Sequence, residues 1–417
     1  MLGAYSIVHS TVKQRSQYRP ILADINLAFL AAHPMILDPT KPPPDPLSAV
    51  THRDPYRYYR ELARQQPFHR DAMLMLWVAA GPAEVAAVLS HPACRVRPPG
   101  QPVPPPLAQS PAGTLFARLI RMNDGQRHAP LKAVLQRQLA TLNPEDVRAA
   151  ASASARLLPV TDDHAATANR WTGALPVNAI AHLLGFTAVD DDVTGCRIAT
   201  QIASFAAAMS PLAGPAEIEA GIDAAASLQT LPLRVDTPWA KALCAEARAA
   251  GVDDDAIAAN LLGLMVQGCE ATAGLIGNTL LWLAHDAAAA DDLPTTVATV
   301  LRADPPIHNT RRFMAEDARV CGLPLRRGDG ILVLLAAAAA SEVRIDNVSA
   351  SVNTPGKRGE RPWTFGHGAH RCPGDALAAA LAEATVAALL ARGIEPAVLA
   401  QAYRYRPSLN ARIPHFL

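Results

Sequence analysis

Phe365-Gly366-His367-Gly368-Ala369-His370-Arg371-Cys372-Pro373-Gly374 is the stretch from which the rest of this chain can be read. Leu377, Leu381, Leu389 and Leu390 follow at helical spacing and Gly393 supplies a stop, so the pattern predicts a loop feeding a helix. Gly366 and Gly368 permit backbone angles closed to other residues and let the chain approach a flat ligand closely. Pro373 suits the first turn of a helix, where its missing N–H costs nothing. Cys372 is then expected at the positive end of a helix dipole with amides aimed at it, which favours thiolate over thiol. A thiolate there is a ready metal ligand.

Three readings of the cysteine compete. Zinc could draw on His367, His370 and Cys372, but a structural site needs a fourth ligand, and no paired Cys or His motif elsewhere supplies one. A buried structural cysteine would leave two glycines, a phenylalanine and a histidine spaced around it by coincidence. A haem iron held by one cysteine, whose electron donation favours O–O cleavage, is the third.

The surrounding chain sets limits. Its 417 residues are 50% hydrophobic, enough for a large core, and length alone suggests two or three domains. Lys+Arg 38 against Asp+Glu 37 leaves a net charge of +1, so no basic field for nucleic acid or anionic lipid is expected. Near the N-terminus the apolar run Leu27 to Ala32 is far short of the ~20 residues a bilayer needs, so no membrane anchor is expected. Six scattered cysteines form no disulfide framework, and no secretory signal is visible, which fits a cytoplasmic setting. Residues 1–45 lack periodicity and end in the stiff run Lys41 to Pro46; Met35 is a second candidate start. Tyr56, Tyr59 and Leu62 then recur at helical spacing, Met73 to Ala79 reads as a strand, and residues 115–285 read as stacked helices. Ala336–Ala340 and Ala378–Ala382 read as close-packed core. The clearest helix is capped by Asp253 and runs to about His285, roughly 50 Å at ~1.5 Å per residue, so it must pass through the core.

Phe365, Gly366, Gly368, His370, Cys372 and Gly374 match every defining position of the haem-loop signature of the cytochrome P450 superfamily, and from about Asp54 onward the chain resembles that family. The resemblance implies a mainly α fold with a small β subdomain. It also implies one haem-binding domain over residues 46–417, after an extension at 1–45, in place of the several domains suggested by length. The cofactor it implies is haem b, iron protoporphyrin IX, lying between the long helix and the cysteine loop with Cys372 as the iron ligand and Phe365, Gly366 and Gly374 around it. His128 matches the family histidine that pairs with a haem propionate, and Lys132 stands where the family has arginine, keeping the charge but losing the bidentate fork. Arg312, after Pro305-Pro306, matches a propionate-binding arginine, and His370 should serve likewise.

Two places depart from the family pattern. Gln267-Gly268-Cys269-Glu270-Ala271-Thr272 has alanine where the family threonine helps guide protons to dioxygen. Thr272 is one residue further, about 100° around the helix, and is not expected to reach the same point. Glu270, Thr272 and Gln267 remain the candidate catalytic residues, with the substrate or water supplying the missing hydroxyl. In Thr299-Val300-Leu301-Arg302 the glutamate of the family Glu-x-x-Arg is absent, and the stretch Ser341 to Arg361 lacks the usual Arg-Phe pattern. A rearranged, locally compensated charge network is therefore expected, and the short link from Ala284 to Thr296 suggests a trimmed helix.

The function implied is a monooxygenase that takes electrons from ferredoxin and ferredoxin reductase, because no nicotinamide-binding Gly-x-Gly-x-x-Gly follows a strand, and oxidises a small organic substrate. A peroxide-using or oxidative-coupling haem enzyme, and a catalytically weak haem-binding accessory protein, are the alternatives. By resemblance, Pro98–Thr114, Gln201–Leu233, Leu264 and Gln267, Ile307–Asn309 and Ser408–Arg412 would line the pocket.

Overall fold

The computed structural model describes residues 41–186, 192–230, 235–342 and 361–417. The expected N-terminal extension, and the segment in which the Arg-Phe pattern was missed, lie mostly outside these residues. In chain order the elements begin with α1 (Tyr56–Gln65), β1 (Phe68–Asp71), β2 (Leu76–Ala79), α2 (Pro82–Ser90), β3 (Cys94–Arg95), α3 (Pro111–Arg118), α4 (Ala129–Leu139) and α5 (Pro144–Leu157). There follow α6 (His164–Leu184), α7 (Asp192–Ala208), α8 (Pro215–Gln229), α9 (Pro238–Ala249), α10 (Asp254–His285) and α11 (Leu293–Ala303). The chain continues through β4 (Asn309–Met314), β5 (Ala318–Val320), β6 (Leu323–Leu325), β7 (Gly330–Leu334), α12 (Leu335–Glu342), α13 (Asp375–Ala391), α14 (Pro396–Leu399), β8 (Tyr403–Tyr405) and β9 (Pro414–Phe416).

Helix starts follow local chemistry. Side chains of Ser110, Asn143, Asp163, Thr237, Asp253 and Asp292 each accept a hydrogen bond from a free amide in the first turn of the helix they precede. The 32-residue α10 lies in the core as its length demands, packed against α3, α6, α7, α11 and α13. One of its glycines permits a close approach: a Cβ on Gly274 would lie 2.7 Å from the Arg412 carbonyl oxygen and 2.9 Å from Pro306 Cβ. The segment before β9 and the one after α11 therefore both rest on the middle of this helix.

The β subdomain is a five-stranded sheet in the order β1-β2-β7-β4-β3, antiparallel except for the β2–β7 pair. Met73 to Met75, expected as strand, form instead the turn between β1 and β2: Met75 has φ +54° and Met73 is 65% exposed. Alternation of apolar residues ran on through a turn that needed no glycine. Ala336–Ala340 are buried as expected, whereas Ala378–Ala380 are only half-buried. Between α10 and α11 the chain makes a 3-10 segment, Ala287–Asp292, in keeping with a shortened connection. By length and composition Gly368–Ala391 could cross a membrane, which the sequence reading did not note; its Leu377, Leu381, Ala382, Val386 and Leu389 lie in the helical core.

Candidate active site

The cysteine loop is built from two short 3-10 turns, Trp363–Phe365 and Gly368–His370, before α13. Gly368 has φ +67° and packs so closely on α2 that a Cβ would lie 2.7 Å from the Leu89 carbonyl oxygen, so both angle and space demand glycine. The Cys372 amide donates to the Phe365 carbonyl (2.8 Å), which folds the loop back on itself and presents the sulfur. Helix α13 begins at Asp375 rather than at Pro373, so the proline precedes the first turn instead of occupying it. Burial pushes the Cys372 thiol above its ordinary value, outweighing the Gly374 amide hydrogen bond and the Lys132 charge. The thiolate-favouring groups expected from sequence are thus present, but burial outweighs them.

Cys372 lines a cavity of about 740 Å³ between this loop and the middle of α10. His128, Lys132, Arg312, Phe365, Gly366, His370 and Gly374 line it too, with Gln267, Ala271 and Thr272 on the opposite wall. Of the candidate catalytic and haem-binding residues Glu270 alone is not part of the lining. Crowding by surrounding protein pushes its carboxyl above the usual range although part of its surface is open, against the pull of Arg121 and Arg406. Thr272, not expected to reach the point the family threonine occupies, lines the same wall beside Ala271. Gln267 donates to the Gly263 carbonyl (3.2 Å), one turn back on its own helix.

At one side of the cavity His370 Nε2 sits 2.9 Å from Asp124 Oδ1, and its ring lies against that of His128, tilted by 32° with centroids 4.1 Å apart. Burial raises the Asp124 carboxyl, but hydrogen bonds from His370 and the Val96 amide, with the Arg95 charge, outweigh it and hold it low. His128 is brought down to about 4, first by burial and then by His370 and Lys132, so it is a neutral hydrogen-bonding group at pH 7. The Lys132 ammonium donates to the Arg371 carbonyl, tying α4 to the cysteine loop. Arg312 turns back to the Arg311 carbonyl (2.8 Å), and Asp124 opposes the lowering of its pKa by burial. A flat dianion fits such a cradle, since the lining brings cations and hydrogen-bond donors around a cysteine sulfur and, among the described residues, contains no Asp or Glu. No group of three or more His, Cys, Asp or Glu that could hold a metal ion occurs among the described residues, which removes the zinc reading.

No protein-family model matches the chain. It is 27% identical over 376 residues to 6-deoxyerythronolide B hydroxylase of Saccharopolyspora erythraea, covering 84% of this chain and 91% of the relative. It is 25% identical over 368 residues to a putative cytochrome P450 123 of Mycobacterium tuberculosis, covering 84% and 89%. A 167-residue match at 30% identity to the biotin biosynthesis cytochrome P450 of Bacillus subtilis spans 38% of this chain and 42% of that relative. A solved structure of P450BioI in complex with acyl carrier protein superposes with a TM-score of 0.67 at 20% identity, covering 88% and 99% of the two chains. That of CalO2 gives 0.66 at 22%, covering 89% and 98%. Sequence and fold together support the cytochrome P450 superfamily. That family is one of haem-thiolate monooxygenases, which implies a haem cofactor, and the mainly α fold with a small β part is the P450 fold.

Sequence reasoning missed three cavity-lining cations, Arg97, Arg121 and Arg311. Arg311 had a visible signal, standing directly before Arg312 on a strand, but it belonged to no motif. The P450 resemblance placed Leu264, Ile307 and Asn309 correctly in the lining, along with Gln101, Pro104 to Leu107 and Asn410. Arg412 is not in it. That residue is buried behind α10 and pairs with Asp304 (2.7 Å) at the end of α11.

Proposed function

We propose that the described chain is the single catalytic domain, residues 46–417, of a cytoplasmic haem b monooxygenase that receives electrons from ferredoxin and ferredoxin reductase and oxidises a small organic substrate. The observation that carries this reading is the pairing, in one cavity, of Cys372 on a glycine-shaped loop with a wall of α10 that has no carboxylate and no hydroxyl at Ala271. When bound, the haem supplies activation of dioxygen for insertion of one oxygen atom into substrate. His128, Lys132, Arg312 and His370 hold its carboxylates, Phe365, Gly366 and Gly374 shape the thiolate side, and Cys372 provides the sulfur.

Proton handling falls to the opposite wall. Ala271 cannot relay a proton, so Gln267 and Thr272 position water or a substrate hydroxyl there, and Glu270, outside the lining, exchanges protons with solvent. The raised carboxyl of Glu270 suits that task, because a group titrating nearer neutrality both takes and gives protons readily.

Cys372→Ser, purified with haem, tests the reading. The wild-type protein, reduced under carbon monoxide, is expected to absorb at the position typical of thiolate-ligated haem, and the variant to lose that band. A histidine-type spectrum, or no haem binding, sinks the proposal.

A further inference from the structure

Five permanent cations line the cavity among the described residues: Arg97, Arg121, Lys132, Arg311 and Arg312. Among the described residues no Asp or Glu lines it. A haem brings two carboxylates, so cations remain after it is seated. Three of the five are already hydrogen-bonded, and a fourth, the exposed Arg121, has a carboxylate near it. Arg97 donates to the Pro102 and Gln101 carbonyls and lies over the Phe116 ring. Lys132 donates to the cysteine loop, and Arg312 has Asp124 to balance it. At Arg121 that carboxylate is Glu270.

Arg311 differs. Its guanidinium makes no hydrogen bond or ion pair with any described residue, and burial alone, with no carboxylate to oppose it, draws its pKa down to about 10. It is half-buried, still a cation at neutral pH, and has no counter-ion among the described residues. Buried charges are ordinarily paired, because an unpaired one keeps its desolvation cost. Successive residues of a strand project to opposite faces, so Arg311 leaves β4 on the side of Asn309 and Phe313, whereas Arg312 leaves on the side electrostatically coupled to Asp124 and Cys94. Asn309, Ile307 and Asn410 line the cavity with it. Of these, Asn309 already spends its amide on the Leu409 carbonyl (2.7 Å).

We propose that Arg311 anchors an anionic group, carboxylate or phosphate, carried by the substrate. The planar fork of the guanidinium suits two-point binding of either anion. Resting on the haem-enzyme reading above, this assigns the substrate a class: an apolar body with one acidic end, the body lying along Ile307, Leu264 and Ala271. Two-point binding at Arg311 would fix which carbon reaches the cysteine side of the chamber.

The test uses haem-loaded protein and two matched pairs of probes, dodecanoate against dodecanol and 4-phenylbutyrate against 4-phenylbutanol, each titrated by the change in the haem spectrum. A charge-assisted contact of this kind predicts a preference for the acid of roughly ten- to hundredfold in wild type. Arg311→Gln should abolish that preference while keeping the haem content and the thiolate carbon monoxide band; Arg311→Lys should keep part of it. Phenyl phosphate as a competitor separates a phosphate site from a carboxylate site. Wild type with no preference for the acid in either pair, or Arg311→Gln with an undiminished one, overturns the proposal. Haem loss in Arg311→Gln also overturns it, by making Arg311 a cofactor ligand, whereas absence of the thiolate band in wild type fails the enzyme reading itself.

Discussion

At Ala271 a single missing hydroxyl decides how protons must travel. Its methyl group faces the cavity between Gln267 and Thr272, so water or substrate has to fill the role, and turnover should be poorly coupled when the substrate lacks a hydroxyl. Proton delivery by a positioned group contributes roughly 10²–10⁴-fold. Ala271→Thr is therefore expected to raise product formed per electron consumed for hydroxyl-free substrates and to change little for hydroxylated ones. Equal coupling on both classes in wild type, unaltered by Gln267→Ala or Thr272→Ala, would place the proton path elsewhere. Individual residues were legible from sequence where the chemistry is local. Cys372, its glycines and His370 lie within ten positions, and their spacing carried the reading. Arg311 was not legible, because what distinguishes it is the absence of a partner, and a sequence does not show who stands opposite.

Among the elements, α11 carries the clearest substitution of one scaffold for another. Thr299, where a glutamate was missed, donates its hydroxyl to the Thr295 carbonyl (2.8 Å) within its own helix. Charge is instead concentrated just past the helix end, where Asp304 meets Arg412 and the Tyr56 hydroxyl. Arg412 also donates to the carbonyls of His52 (2.5 Å) and Arg53 (2.9 Å) and lies 3.7 Å from the Tyr405 ring centre. Burial would lower the Arg412 pKa, but Asp304, Tyr405 and Tyr56 together raise it. Asp304→Asn leaves that guanidinium buried without its carboxylate, at a cost of ~3–5 kcal/mol, and should lower the melting temperature sharply. Thr299→Glu should not raise it, and a clear rise would refute the view that this network has moved to Asp304. A compensating network was expected from the missing glutamate; the Asp304–Arg412 pair joins positions 108 residues apart, and no periodicity links them.

Over the whole molecule, helix dominates as the apolar periodicity required, and the errors fell at the turn Met73–Met75 and the start of α13, where one residue of backbone geometry decides the boundary. Acid sensitivity is a property of the same scale. His308 is buried against Tyr59 (3.0 Å from its hydroxyl), with Tyr56 and Arg412 also near, and burial first, then Arg412, holds it well below its ordinary value; His128 is at about 4. Both are neutral when folded and titrate near ~6.5 when unfolded. The unfolded chain therefore takes up protons that the folded one refuses, and stability present above ~6.5 is lost as pH falls below it. Asp124, held low, loses its contribution only at more acidic pH. Melting temperatures at pH 7.5 and 5.5 should show the drop, and His308→Gln should make it shallower; an equal drop in the variant would assign it to other groups. The seat of α10 bears on the order in which the molecule assembles. Gly274 is covered by the backbone at Arg412, 138 positions later, so the helix can coil early from local contacts while its midpoint stays open until a very long loop closes. Closing such a loop is an entropic cost borne late, and the cavity wall at Ala271, one turn away, should be among the last parts of the protein to become rigid.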